Sequence, residues 1–346
     1  MFDHLLGNRR AKETIGRMLK AGRVPGGLLF AGEEGVGKKL FALELAKALN
    51  CRARVGVEAC ERCASCQRIM RWTLPAADDR DAHKKIIWSE HPDVGMARPY
   101  GRAILVDQMR DLEREANFRP FEGAARVFLI EDADKLNDAS SNALLKTLEE
   151  PPVTSHLILI TARPAALLPT IRSRCQVIRF APLAATEIEE HLARAKKLSQ
   201  KDARVLARLA QGSIGRALVA DMESYRARRE AMLGILNALV VTGDRARLLR
   251  AAEEMNDAKR KDEYEPRLDV LEILIRDVWA LALGAPAEQI VNEDARAQLT
   301  QISARVESRR AASWLTLLET LRAQLSVNIN RKVATDALFL EMARRQ

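Results

Sequence analysis

The apolar run Leu28-Leu-Phe-Ala31 passes directly into Gly32-Glu-Glu-Gly-Val-Gly-Lys38-Lys39, and a helix-forming stretch, Leu40 to Leu49, follows at once. A buried strand, a G-x-x-x-x-G-K loop and a helix in that order make an anion cradle. Loop N–H groups and the helix N-terminus point at the anion, and Lys38 meets its oxygens. The strand must lie inside a sheet, which constrains the rest of the first half. Ile104-Leu-Val-Asp107 reads as a second strand entering a helix from Gln108 to Asn117. Val127 to Ile130 is a third. The helix Ala139 to Glu150 stops at Pro151-Pro152, which cannot continue it. His156 to Thr161 and Gln176 to Phe180 complete five strands. Strands alternating with helices predict an α/β core, a parallel sheet covered on both faces. After Pro182 the strands stop. Thr186 to Leu198, Lys201 to Gln211 and a turn opening at Ser213 read as helices. Long amphipathic helices follow, Tyr225 to Val241, Leu268 to Leu283 and Ala311 to Leu325, with turns at Gly243-Asp244 and Gly284-Ala-Pro286. Arg71 to Glu90 reads as a charged surface loop or insertion.

The phosphate loop departs from its pattern at one position. After Lys38 a Ser or Thr hydroxyl ordinarily ligates Mg²⁺, and here stands Lys39. An ammonium neutralises phosphate charge but cannot ligate a metal. Glu33 and Glu34 also put two carboxylates in the loop. Two readings stay open: a site that takes ATP or ADP through Gly32, Gly35, Gly37 and Lys38 with doubtful Mg²⁺ dependence, and an inherited loop kept for its turn. At the end of the third strand, Glu131 and Asp132 stand where an acid holds Mg²⁺ and the next orients water. The usual order is Asp then Glu, and here it is reversed. Two departures at one metal site point to impaired hydrolysis. Thr161, at the end of the fourth strand, and Arg216, at a helix start, are candidate nucleotide sensors or ordinary surface residues.

Cys51-x8-Cys60-x2-Cys63-x2-Cys66 supplies four thiolates, which suit a tetrahedral structural Zn²⁺. Four protein ligands leave no open position for catalysis. An iron–sulfur cluster or redox role is the alternative, with nothing nearby that suggests electron transfer. Ser173-Arg174-Cys175 precedes the fifth strand. Arg174 reads either as an arginine finger acting on a neighbour's ATP or as a solvated charge. The five histidines show no metal-ligand spacing, and no nucleophilic triad is evident.

The net charge of +9 and pI near 9.5 fit a polyanion partner such as DNA, or an Arg-rich composition without further meaning. The start of the chain shows no apolar leader and no run approaches a bilayer span, so a cytoplasmic protein with no membrane partner is expected. Cysteines in that setting serve metal or packing.

In this order the motifs resemble the bacterial DNA polymerase III clamp-loader subunits of the AAA+ superfamily, and most of all the delta-prime type. The likeness covers nearly the whole chain. Phe2 with Leu5-Leu-Gly7-Asn8, the phosphate loop, the four-cysteine insertion, His91-Pro-Asp93, Ile104 to Gln108, and Phe118-Arg-Pro-Phe-Glu-Gly123 are all similar to family segments. So are Val127 to Asn137, Ser141 to Pro152, Ser173-Arg-Cys175, Gly212-Ser-Ile-Gly-Arg216, and Asn328-Ile-Asn330-Arg with Leu338 and Glu341. The resemblance implies an ATPase-like core with zinc module over residues 1–183, a helical lid over 184–220 and a helical collar over 221–346. It further implies a place beside gamma/tau and delta subunits in a five-subunit assembly that sets the sliding clamp on primer-template DNA. In that assembly this type is a stator whose Ser-Arg-Cys arginine, Arg174 here, completes a neighbouring ATP site. An active gamma/tau motor is the competing expectation. Lys39, the Glu131–Asp132 order and a chain of 346 residues without a long tail weigh against it.

Overall fold

The computed structural model describes residues 2, 4–257, 262–286, 289–325 and 329–344. Two compact units emerge, one of Met1–Lys197 with Ala210–Leu218, the other of Leu198–Leu209 with Val219–Gln346.

The first unit is built on a six-stranded sheet. Its strands are β1 (Gly27–Ala31), β2 (Ile87–Trp88), β3 (Val94–Ala97), β4 (Arg126–Ile130), β5 (Ser155–Thr161) and β6 (Gln176–Arg179). They lie in the order β2-β3-β4-β5-β1-β6, all neighbours parallel except β2 and β3. Every residue of β1, β4 and β5 is buried. Alternation divides their side chains between two faces. Leu28, Phe30, Val127, Leu129, Ile158 and Ile160 pack with α1 (Arg9–Lys20) and α2 (Lys38–Asn50) through Ile15, Phe41 and Leu45. The short α3 (Ala64–Ile69) joins that same cluster through Ile69. Leu29, Phe128, Ile130, Leu157 and Leu159 pack on the other face with α4 (Val106–Ala116), α5 (Asp138–Glu149) and α6 (Pro169–Arg174) through Met109, Leu112, Leu144 and Ile171. Each such side chain contributes about 1.5–3 kcal/mol on full burial. The edge strand β6 is mostly exposed and carries Gln176 and Arg179, polar groups that blunt an open edge.

The sheet is the α/β core expected, with corrections. Ile104–Asp107 is not a strand. Ile104 makes only an isolated bridge to Leu136, and Val106 already opens α4. A four-residue apolar run does not separate a strand from a first helical turn. The place in the sheet goes to β3, just after His91-Pro-Asp93. Nor is residue range 71–90 merely an irregular loop, because it ends in β2, with Ile86 and Ile87 buried.

Asp93 explains how the loop after α4 is held. Its side chain is fully buried and accepts three backbone N–H bonds, from Phe121 at 2.7 Å, Glu122 at 3.0 Å and Gly123 at 2.8 Å. Asp93→Ala would orphan all three donors, and is expected to cost about 3 kcal/mol. Urea unfolding with an unchanged m-value would show it, and a loss under about 0.5 kcal/mol would contradict it.

The remaining helices are α7 (Ala185–Lys196), α8 (Gln200–Leu209), α9 (Ile214–Val219), α10 (Met222–Asn237), α11 (Arg245–Met255), α12 (Tyr264–Ala282), α13 (Arg296–Ser303), α14 (Ser308–Leu325) and α15 (Arg331–Ala343). Past α9 no strand occurs among the described residues. In the second unit, Asp277 of α12 is buried and accepts from Val291 N and from Asn292 N and Nδ2. Tyr264 and Thr335 share a buried hydrogen bond at 2.7 Å that ties α12 to α15. Asn328 lies outside the described residues. Asn330 caps α15 through Lys332 N and Val333 N.

Candidate functional site

The phosphate loop joins β1 to α2, at the carboxyl end of the sheet. A side chain at Gly32 would meet the Phe180 carbonyl oxygen at 2.3 Å, so only glycine admits that approach. Gly35 has φ of +74°, and a Cβ there would lie 2.1 Å from Ser213 Oγ. Gly37 caps α2. The segment Gly212–Arg216 therefore rests on the loop, and Gly215 N donates to the Gly35 carbonyl at 2.9 Å. Arg216 follows immediately, exposed, its guanidinium without a partner among the described residues.

Lys38 is buried and donates to the carbonyls of Gly32 at 2.5 Å and Glu33 at 2.6 Å. Burial lowers its pKa, against the pull of Glu34, Asp132, Asp134 and Glu33. Lys39, one residue on, reaches across to β4. Its Nζ stands 2.5 Å from Glu131 Oε1, and Arg98 Nε holds the other oxygen at 2.9 Å. The Glu131 carboxylate is thus neutralised by two cations, one of them Lys39, which stands where the phosphate-loop pattern has a hydroxyl. Mg²⁺ takes near-octahedral oxygen ligands at about 2.0–2.1 Å, and an ammonium has no lone pair to offer as one.

Asp132 takes a left-handed backbone, φ 46°, and its carboxylate turns to Lys135 at 3.0 Å. Thr161 donates to Asp134 Oδ1 at 2.7 Å, and Arg163 grips Asp134 Oδ2 through Nε and Nη2. Burial pushes the Asp134 carboxyl up, but the bonds from Thr161 and Arg163 outweigh it and hold the pKa below the usual range. The structure therefore gathers Gly32, Gly35, Gly37, Lys38, Lys39, Glu131, Asp132, Thr161 and the backbone of Arg216 around one loop. Arg98 and Arg163 carry no reading in the sequence, and Asp134, at the end of the acidic strand-end motif, and Ser213, in the Gly212–Arg216 segment, carry no role of their own there. Their partners lie far away in the chain, and only the Gly212–Arg216 likeness hinted at the last.

Arg174 sits elsewhere. Its carbonyl oxygen lies against Gly27, at the start of β1, whereas the loop begins after Ala31 at the other end. Five strand residues separate them, about 16 Å at the strand rise, which no arginine side chain spans. The exposed guanidinium donates to Thr170 O at 2.9 Å and pairs with Glu149 Oε1 at 2.6 Å.

The four cysteines converge as their spacing predicts. Cys51 follows α2 and Cys63 caps α3, which carries the buried Cys66. All four sulfurs lie within 4.8 Å of one another. Cys51–Cys63 is 3.9 Å and Cys63–Cys66 is 3.5 Å, against about 3.8 Å for the edge of a tetrahedron with 2.3 Å zinc–sulfur arms. Backbone N–H groups of Cys60 and Cys63 donate to Cys51 and Cys60 sulfurs, both at 3.3 Å. Burial pushes the Cys51 and Cys66 thiols up. At Cys63 burial also opposes ionisation, but hydrogen bonds from Cys66 prevail and bring it down to about 6. The donor set fits zinc. Beside it, buried Lys47 of α2 pairs with Glu44 at 2.6 Å and with Glu61 of the cysteine module at 2.5 Å.

A glycine-rich loop between a buried parallel strand and a helix, an acidic strand end beside it, and a remainder past β6 without strands among the described residues define an α/β core of phosphate-loop type with helical additions. The family model "DNA polymerase III, delta subunit" matches residues 7–77 and 75–184, and its C-terminal counterpart matches 226–342. The chain belongs to this DNA polymerase III delta-subunit family. It is similar to DNA polymerase III subunit delta' of Bacillus subtilis (26% identical, covering 96% of this chain and 94% of that protein). It is also similar to subunit delta' of Escherichia coli (30% identical, 95% and 92%). Subunit tau of Escherichia coli is 30% identical over 74% of this chain, but only 38% of tau is covered. Among the described residues no helix is long and apolar enough to cross a membrane.

Proposed function

We propose that this chain is the delta-prime-type subunit of a bacterial DNA polymerase III clamp loader, a stator with a disabled metal site of its own. Residues 1–183 form the ATPase-like core, 184–220 a lid and 221–346 a collar through which it joins gamma/tau and delta subunits. The assembly loads the sliding clamp on primer-template DNA in the cytoplasm. The observation that carries the reading is the Lys39–Glu131–Arg98 ion cluster. It stands where a motor subunit keeps Mg²⁺, and with it the charge compensation that phosphoryl transfer needs. Nucleotide held by Lys38 and the loop N–H groups would then bind with little dependence on Mg²⁺. Arg174, out of reach of this chain's own loop, is the arginine offered to the neighbouring subunit's ATP. The cysteine quartet holds one structural zinc, which ties the end of α2 to α3.

The test of the disabled site is steady-state ATP hydrolysis by the isolated chain. Turnover at the assay background is expected, unchanged by Lys38→Ala. Turnover at the rate of a motor subunit, abolished by Lys38→Ala, would make this chain a gamma/tau-type ATPase instead.

A further inference from the structure

The amino end of the sheet carries a cavity that neither the phosphate loop nor Arg174 uses. It measures about 500 Å³, within the range of ligand pockets. Leu19 at the end of α1, Leu49 of α2 and Val153 after the Pro151-Pro152 stop give it apolar walls, and Arg23, Arg54 and His156 give it polar ones. It opens on the face covered by α1 and α2. Arg174 lies with α5 and α6 on the opposite face.

Its charge is one-sided. No carboxylate lines the cavity among the described residues. The Arg23 guanidinium has no hydrogen-bond or ion-pair partner among them, and that of Arg54 has only the Ala48 carbonyl, at 3.4 Å. Many arginines of this chain are paired, including Arg229, which grips Asp294 in the larger cavity of the second unit. His156 adds a directional group. Burial holds its imidazole neutral by lowering its pKa, and the Nδ1 proton goes to the Pro25 carbonyl at 3.0 Å. Nε2 is therefore left as an acceptor. Val153 is 97% exposed. A lone exposed valine means little, but this one forms the rim of an apolar cavity flanked by two unpaired cations.

We propose that this cavity docks an acidic peptide segment of a protein partner, seating one large apolar side chain between Leu19, Leu49 and Val153 while flanking carboxylates meet Arg23 and Arg54. A guanidinium takes a carboxylate in a two-pronged geometry, and the neutral imidazole accepts a peptide N–H. Apolar burial supplies the affinity, and the arginines select for an acidic context.

The test is fluorescence anisotropy of a labelled peptide in which glutamates flank a single phenylalanine, titrated with the full chain. Saturable binding that weakens with added salt is expected. Arg23→Glu with Arg54→Glu is expected to weaken it by at least about tenfold. Replacing the phenylalanine by serine is expected to do the same. Val153→Asp, at an exposed position with no fold to lose, is expected to weaken binding in a chain whose zinc content and melting temperature match wild type. Absence of saturable binding would overturn the proposal. So would affinity that the charge reversals and Val153→Asp leave unchanged, or a serine peptide that binds equally well. A single-stranded oligonucleotide that binds through the same arginines more tightly than the peptide would also overturn it, making the patch a phosphate contact.

Discussion

A clamp loader reconstituted with Arg174→Ala is expected to lose about 10³-fold or more of the ATP turnover at the neighbouring site that this arginine is proposed to complete. The variant chain alone should fold, hold zinc and assemble as wild type does. The side chain is exposed at the end of α6 and tied to Glu149 by an ion pair at 2.6 Å. Exposed pairs of that kind contribute no more than about 1 kcal/mol. A 10³-fold rate effect corresponds to about 4 kcal/mol of transition-state stabilisation. Releasing Arg174 from Glu149 to reach a neighbour's phosphate is therefore a small cost against the gain. Arg174→Lys should not restore the rate, because a point charge lacks the planar fork that spreads over phosphoryl oxygens. Single-turnover hydrolysis by the assembled complex resolves this site from those of the other subunits. Wild-type rates at matched assembly would reduce Arg174 to a surface charge.

Stripping metal from the cysteine quartet is expected to unfold the segment from Cys51 to Ile69 and to loosen α2 with it. Structural zinc contributes on the order of 10 kcal/mol to the folding of such modules. The effect should spread because Cys51 directly follows α2, and because Glu61 of the module neutralises Lys47, a side chain only 2% exposed. Losing the module leaves that ammonium with Glu44 alone. Chelation, or Cys66→Ser, should lower the melting temperature, and acid should release the metal as thiolates are protonated. Elemental analysis should find one zinc per chain. Iron, or no metal in a chain that melts unchanged, would contradict the assignment.

What was legible in the sequence follows from range. β1, β4 and β5 are short, wholly buried runs bounded by turn and cap signals, so local pattern sufficed. The cysteine quartet was legible because its spacing alone restricts which sulfurs meet. β2 and β3 were missed: β2 is a two-residue strand at the end of a charged stretch, and β3 carries a glycine, so neither has a period to detect. The failure at Ile104–Asp107 has the same root, since four apolar residues serve a strand or a helix start equally well. In the candidate site, Lys39 was visible as a missing hydroxyl. That it pairs with Glu131 was not, because the two lie on different elements and nothing local marks their approach. Arg98 carries no sequence signal at all. Its role appears only when β3 is laid beside β4 and Ala97 is paired with Ile130.

The central claim is that this chain lends an arginine to a neighbour's site and runs no ATPase of its own. The most direct measurement compares ATP turnover and clamp loading by complexes assembled with wild-type, Lys38→Ala or Arg174→Ala chain at equal stoichiometry. Loss with Arg174→Ala and wild-type rates with Lys38→Ala are the predicted results. Loss with Lys38→Ala and wild-type rates with Arg174→Ala would contradict the account.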